Sequence, residues 1–153
     1  MIETVGIIGA GTMGNGIAQI CAAAGLNVTM VDISDAAVQR GLKTVGGSLD
    51  RLVSKEKMTA ADRDATLARI NATTDKSKLA ACDLVIEAAT ENEELKVKIL
   101  RDLCAGLKPS ALVATNTSSI SITRLAASTD RPDRFIGMHR SEEHTSELQS
   151  PIQ

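Results

Sequence analysis

Aromatic side chains are almost missing from this chain: it has no Trp and no Tyr, and Phe135 stands alone. A core for 153 residues must then be packed from Ile, Val, Leu, Met and Ala, which suits a parallel sheet covered on both faces. The same lack, together with the absence of a basic stripe, argues against nucleic acid, which is held by stacking rings and clustered cations. No apolar run is long enough to cross a bilayer, and the N-terminus opens on a strand-like segment without a basic start or cleavage site. No membrane partner and no export are therefore expected. Cys21, Cys82 and Cys104 are odd in number and have no metal-ligand spacing, so they read as reduced, mostly buried thiols of a cytoplasmic protein with no metal site. The formal charge of −2 comes from the end of the chain, where Arg140 faces Glu142, Glu143 and Glu147; the body before it is balanced.

What is present is an alternation of short β-branched runs and amphipathic stretches. TVGII, NVTMV, DLVIEA, ALVATNT and RFIGMH read as strands, and NATTD as a weak one. Met13 to Ala24 reads as a helix, and Ser34 caps the next, in which Gly46 and Gly47 are expected to introduce a bend. Thr59 with Asp62 resembles a capping box before ADRDATLARI. Asn92 caps EELKVKILRDLCAGL, where Leu95, Ile99, Leu103 and Leu107 form one stripe. Ser121 caps SITRLAA. Strand and helix in turn predict an α/β chain of the Rossmann type: a doubly wound parallel sheet in a three-layer αβα stack with right-handed crossovers. Residues 1–139 form one domain in this reading.

The first strand runs into Gly9-Ala10-Gly11-Thr12-Met13-Gly14. G-x-G-x-x-G is weak alone, but here it follows a strand, opens a helix and is trailed by Asp32 at the end of the second strand. Gly9 permits the tight turn, Gly11 lets the backbone approach a pyrophosphate, and Gly14 lets helix pack on strand. The helix N-terminus offers unpaired N–H groups to the phosphates. The Asp32 carboxylate accepts the ribose hydroxyls and repels a 2′-phosphate, and no Arg follows it in DISDAAV, so the expected cofactor is NAD. No G-K-[ST] follows, which excludes a nucleoside-triphosphate loop. A methyltransferase also places an acid after its second strand, but rarely needs the third glycine.

GIIGAGTMGNGIAQICAAAG, VIEAATENEELKVKIL and ATNTSSISIT, followed by RPDRFIGMH, resemble the NAD-binding domain of the L-3-hydroxyacyl-CoA dehydrogenases, the 3-hydroxybutyryl-CoA group included. The resemblance runs from Val5 to His139. It implies that Asp32 holds the adenosine ribose, and that Glu91 and Lys96 lie beside the nicotinamide half. Asn116 and Ser118 correspond to the active-site pair around nicotinamide and substrate, and Ser48, Lys55 and Ser118 to the positions that meet coenzyme A. From the residues alone, Lys55 is a solvated helix end and Glu91 an acid at a helix start. The resemblance makes His139, after Gly137 and Met138, the general base that takes the 3-hydroxyl proton as hydride leaves C3 for NAD. The implied partners are a 3-hydroxyacyl-CoA or 3-oxoacyl-CoA substrate, in fatty-acid or butanoate metabolism. Two other readings stay open: a non-catalytic NAD-binding module, and a related hydroxy-acid enzyme of the gulonate dehydrogenase type.

After the His the family continues F-F-N-P into a helical domain that completes the acyl pocket and the dimer. This chain reads R-S-E-E-H-T, and Pro151 stands where the family's orienting Glu belongs. Residues 140–153 resemble instead the in-frame translation of a common sequencing adapter. A non-native tail without stable structure is expected there, and a family-type dimer only where the helical domain is present. An imidazole without its orienting Glu lacks the fixed geometry that catalysis needs. The 153-residue chain is therefore expected to reduce acetoacetyl-CoA far more slowly than the roughly 10 per second of an ordinary enzyme. A steady-state NADH oxidation assay checks this, and an ordinary rate would show the Glu to be dispensable.

Overall fold

The computed structural model describes residues 1–116, 122–140 and 146–149, with 138–140 and 146–149 as backbone. The elements follow one another as β1 (Thr4–Ile8), α1 (Thr12–Ala23), β2 (Asn27–Val31), α2 (Asp35–Ser54), α3 (Ala60–Ala68), β3 (Ile70–Thr73), β4 (Leu84–Glu87), α4 (Glu93–Gly106), β5 (Leu112–Asn116), α5 (Ile122–Ala127), β6 (Phe135–Arg140) and β7 (Ser146–Gln149). Single 3-10 turns at Lys76–Leu79 and Pro132–Arg134 link the elements on either side. The sheet order is β3-β2-β1-β4-β5-β6-β7. Strands β1 to β6 pair in parallel, with β1 between β2 and β4. The direction of winding thus reverses between β1 and β4, and ligands of such sheets bind at the strand carboxyl ends beside that point.

Period-two alternation assigns each strand residue to one layer. Val5, Ile7, Met30 and Ile86 pack under α1 and α2 with Ala18, Val45 and Leu49. Ile8, Val85, Val113 and Phe135 face the other way, against Leu100, Leu103 and Leu125 of α4 and α5. These two aliphatic layers are the three-layer αβα core. Cys82 and Cys104 are buried within it, and burial pushes both thiols up, as it does the half-buried Cys21.

The expected helix signals operate. Ser34 accepts from the Ala37 N–H at 3.1 Å, Thr59 from the Asp62 N–H at 3.0 Å and Asn92 from the Leu95 N–H at 3.0 Å. Ser121 lies outside the described residues. α2 runs through Gly46 and Gly47 as one helix, with Val45 and Leu49 packed in the core beside them. One expectation needs correction. The buried stripe of α4 is Lys96, Leu100, Leu103 and Cys104, while Leu95 is 48% exposed. The helix is rotated so that a lysine, not a leucine, begins its inner face.

The last described segment lies along the edge of the sheet. Ser146–Gln149 forms an antiparallel strand on β6, pairing Met138 with Leu148 and His139 with Glu147. An edge strand presents a row of unpaired N–H and C=O groups, a template for any extended segment that can reach it.

The opposite, amino-terminal end of the sheet is fastened by Asp83. Its carboxylate accepts from the Lys108 ammonium at 2.5 Å and from the N–H groups of Glu3 and Thr4 at 2.9 and 3.1 Å. The Lys108 bond first, then the two backbone N–H groups, hold its carboxyl well below the usual carboxylate range. A group depressed in the folded state contributes stability that is present above its unfolded pKa and lost as pH falls toward the folded value. Asp83→Asn is expected to lower the melting temperature most at pH 6–7. The gap to the parent should close as pH falls below about 4. Thermal melts at several pH values check it, and a gap independent of pH would remove the carboxylate from this role.

Candidate active site

β1 leaves the sheet at Ile8 and turns at once. Gly9 has φ +108°, and a Cβ on it would lie 2.7 Å from the Ala88 carbonyl oxygen, so both conformation and space require glycine. A Cβ at Gly14 would lie 1.7 Å from the Gly9 carbonyl oxygen, which no adjustment of side chains relieves. Helix α1 therefore sits directly on the turn, with its N-terminus at the switch point of the sheet. A Cβ at Gly11, by contrast, would meet nothing within 4 Å. It would project into the cleft, so its absence leaves the backbone open to close approach by a ligand.

α1 starts on Gly11 with no side-chain cap and no acid in its first turn. α2, α3 and α4 each have both a capping side chain and an acidic residue there. The first N–H groups and the positive dipole end of α1 are thus left for an anion.

Two hollows meet at this N-terminus, each of about 270 Å³, and both are lined by Gly11 and Thr12. The first extends over Ala10, Asn15, Asp32, Ala37, Arg40, Gly41 and Thr44. Asp32 is locked at its floor: one carboxylate oxygen accepts from Ala10 N–H at 2.8 Å and the other from Ile33 N–H at 2.6 Å. Each oxygen keeps a further lone pair for a hydroxyl. The second hollow is lined by Met13, Ala88, Ala89, Thr90, Glu91 and Asn116. A cleft with a diol acceptor in one lobe, an anion site in the middle and a second lobe beyond has the layout of a dinucleotide site. The residues present fit NAD.

The glycine loop borders both hollows, with Asp32 on one and Glu91 and Asn116 on the other. His139 lies at the carboxyl end of β6, one position beyond the Asn116–Met138 pair, so its backbone belongs to the same rim. Ser118 lies outside the described residues. Ser48 and Lys55 stand on α2 and at its C-cap and line neither lobe. Lys96 is not in the cleft. It is fully buried, and its three ammonium protons have acceptors in Glu87 Oε1, Thr115 Oγ1 (3.2 Å) and the Asn116 carbonyl (3.2 Å). With all three donors taken, it reaches a ligand only through Asn116.

Three residues escaped the sequence reading. Arg40 lines the Asp32 lobe, although no Arg stands close to Asp32 in sequence. Gly41 lets α2 approach the loop, since a Cβ there would lie 2.8 Å from the Ala10 carbonyl oxygen. Glu87, fully buried at the end of β4, was signalled only by its charge in an otherwise apolar strand.

Asp32→Ala is expected to weaken NADH binding about tenfold or more, the scale of a charge-assisted hydrogen bond, and the parent to prefer NADH over NADPH. Titration calorimetry with both cofactors measures this. Equal affinities in the parent, or an unchanged NADH affinity in the variant, would take Asp32 out of the site.

A model of the 3-hydroxyacyl-CoA dehydrogenase NAD-binding domain matches residues 4–144. The chain is 55% identical over 139 residues to a 3-hydroxybutyryl-CoA dehydrogenase of Bradyrhizobium diazoefficiens, covering 91% of this chain and 47% of that protein. It is 44% identical over 138 residues to a 3-hydroxyadipyl-CoA dehydrogenase of Escherichia coli, covering 90% of this chain and 29% of that protein. The crystal structure of (S)-3-hydroxybutyryl-CoA dehydrogenase from Ralstonia eutropha superposes with a TM-score of 0.96 at 58% identity, over 100% of this chain and 56% of that one. The chain spans about half the length of the 3-hydroxybutyryl-CoA dehydrogenases it matches. It belongs to the 3-hydroxyacyl-CoA dehydrogenases and forms their NAD-binding domain.

Proposed function

We propose that this chain supplies the cofactor half of an NAD-dependent dehydrogenase acting on a short-chain 3-hydroxyacyl-CoA. The observation that carries the reading is the two-lobed cleft across the uncapped N-terminus of α1, with Asp32 fixed in one lobe and Asn116 lining the other. When bound, NAD supplies the hydride acceptor. Asp32 holds the adenosine ribose, and the first turn of α1 the pyrophosphate. Asn116 and Ser118 orient the nicotinamide and the substrate carbonyl or hydroxyl between them. His139, at the carboxyl end of β6, takes the proton of the 3-hydroxyl, work that suits a neutral imidazole near pH 7. Ser48 on α2 and Lys55 at its C-cap, about 10 Å apart along the axis at 1.5 Å per residue, receive the coenzyme A, with Lys55 as a point charge for its phosphate. Glu91, at the start of α4, borders the nicotinamide half. The reading places the protein in the cytoplasm. No helix among the described residues is long and apolar enough to cross a membrane.

The acyl length follows the Bradyrhizobium diazoefficiens and Ralstonia eutropha relatives, whose names specify a 3-hydroxybutyryl group. The test joins residues 1–139 to the C-terminal half of the Bradyrhizobium diazoefficiens relative. The joined protein is expected to oxidise 3-hydroxybutyryl-CoA with NAD, and His139→Gln to lower kcat by a factor of about 100 to 10,000, the range of a lost general base, with NADH affinity unchanged. A joined protein that binds NADH but oxidises no 3-hydroxyacyl-CoA would favour the non-catalytic NAD-binding module.

A further inference from the structure

We propose that Glu87 is a positioning residue whose single carboxylate sets the spacing of the two walls of the nicotinamide lobe. The proposal deepens the dinucleotide reading of the cleft and rests on it.

Glu87 and Thr115 are register partners on β4 and β5, and strand alternation turns both toward α4, the layer of Val85 and Val113. α4 answers with Lys96. Glu87, Lys96 and Thr115 are all fully buried. Glu87 Oε1 accepts from the Lys96 ammonium and from Thr115 Oγ1 at 2.7 Å, and Lys96 in turn donates to the Asn116 carbonyl at 3.2 Å. Glu87 Oε2 accepts from the Ala89 N–H at 2.8 Å. One oxygen thus leads to Asn116 and the other to the segment from Ala88 to Glu91. These are the two sides of the lobe, with Gly11 to Met13 closing it.

Stability is a poor explanation for this arrangement. A buried ion pair is costly to desolvate, and well-packed apolar residues in its place are often neutral or stabilising. The core around it is aliphatic and continuous through Leu100, Leu103 and Val113, so an apolar pair has neighbours to pack on. What an apolar pair cannot do is hold two backbone groups in register across a cleft. Every donor and acceptor in the cluster is satisfied, the condition under which such a network rigidifies its surroundings.

The test separates the nicotinamide lobe from the rest of the cleft by using ADP, which carries the adenosine and pyrophosphate but nothing beyond. In the 153-residue chain, Glu87→Met/Lys96→Met removes both charges together and leaves no unpaired buried ion. It is expected to weaken NADH about tenfold, to change ADP affinity by less than about twofold, and to melt within a few degrees of the parent. NADH affinity unchanged, or NADH and ADP weakened by the same factor, would overturn the proposal, because the network would then be idle or merely structural. If the double variant does not fold, Thr115→Val decides by the same two titrations. It keeps both charges, and it is expected to weaken NADH severalfold while sparing ADP. A parent chain that binds neither ligand would refute the dinucleotide reading itself, and this proposal with it.

Discussion

The contact on which the rest of the molecule depends is the approach of α1 to the turn that leaves β1. With 1.7 Å between a virtual Cβ on Gly14 and the Gly9 oxygen, no side chain of any kind fits between helix and strand. That closeness sends α1 straight off the end of the central strand, and its uncapped N–H groups face the point where winding reverses. Gly41 repeats the device one layer out, bringing α2 against Ala10. Asp32 then ties the second strand to the loop through the Ala10 N–H. Three backbones converge on one small region, and the functional groups reach it as main-chain donors and one carboxylate.

The polar interior follows the same economy. The described residues contain no buried side-chain nitrogen or oxygen without a partner. The charges that do enter the core fasten an end of the sheet. Arg131 donates to the carbonyls of Lys108, Ala111 and Cys104 at the entry to β5. Glu87 with Lys96 does the corresponding work at the carboxyl end. Between them the two layers are aliphatic, and a single ring, Phe135, is buried where β6 meets α4 and α5.

Features governed by near neighbours in sequence were legible before the structure. The glycine loop, Asp32 and the caps at Ser34, Thr59 and Asn92 each depend on residues within one or two turns, so local chemistry determines them. The rotation of α4 was not legible. Leu95 and Lys96 both continue an acceptable stripe, and the choice between them is made by Glu87, on another strand. Arg40 was missed because its place in the Asp32 lobe depends on where α2 starts and points, and Gly41 because its need arises only once α2 meets the loop.

Arg40 and Asp32 give their shared lobe two opposite charges, one fixed by two backbone N–H groups and the other on a long, exposed stem. On the proposed reading, discrimination against a phosphorylated ribose is vested in a single side chain, with its antagonist already installed on the facing helix. In evolutionary terms the lobe stands next to the opposite preference: drift at Asp32 alone would uncover a cation where an extra phosphate sits. With Asp32 in that role, selection for one redox pool over the other acts on one codon.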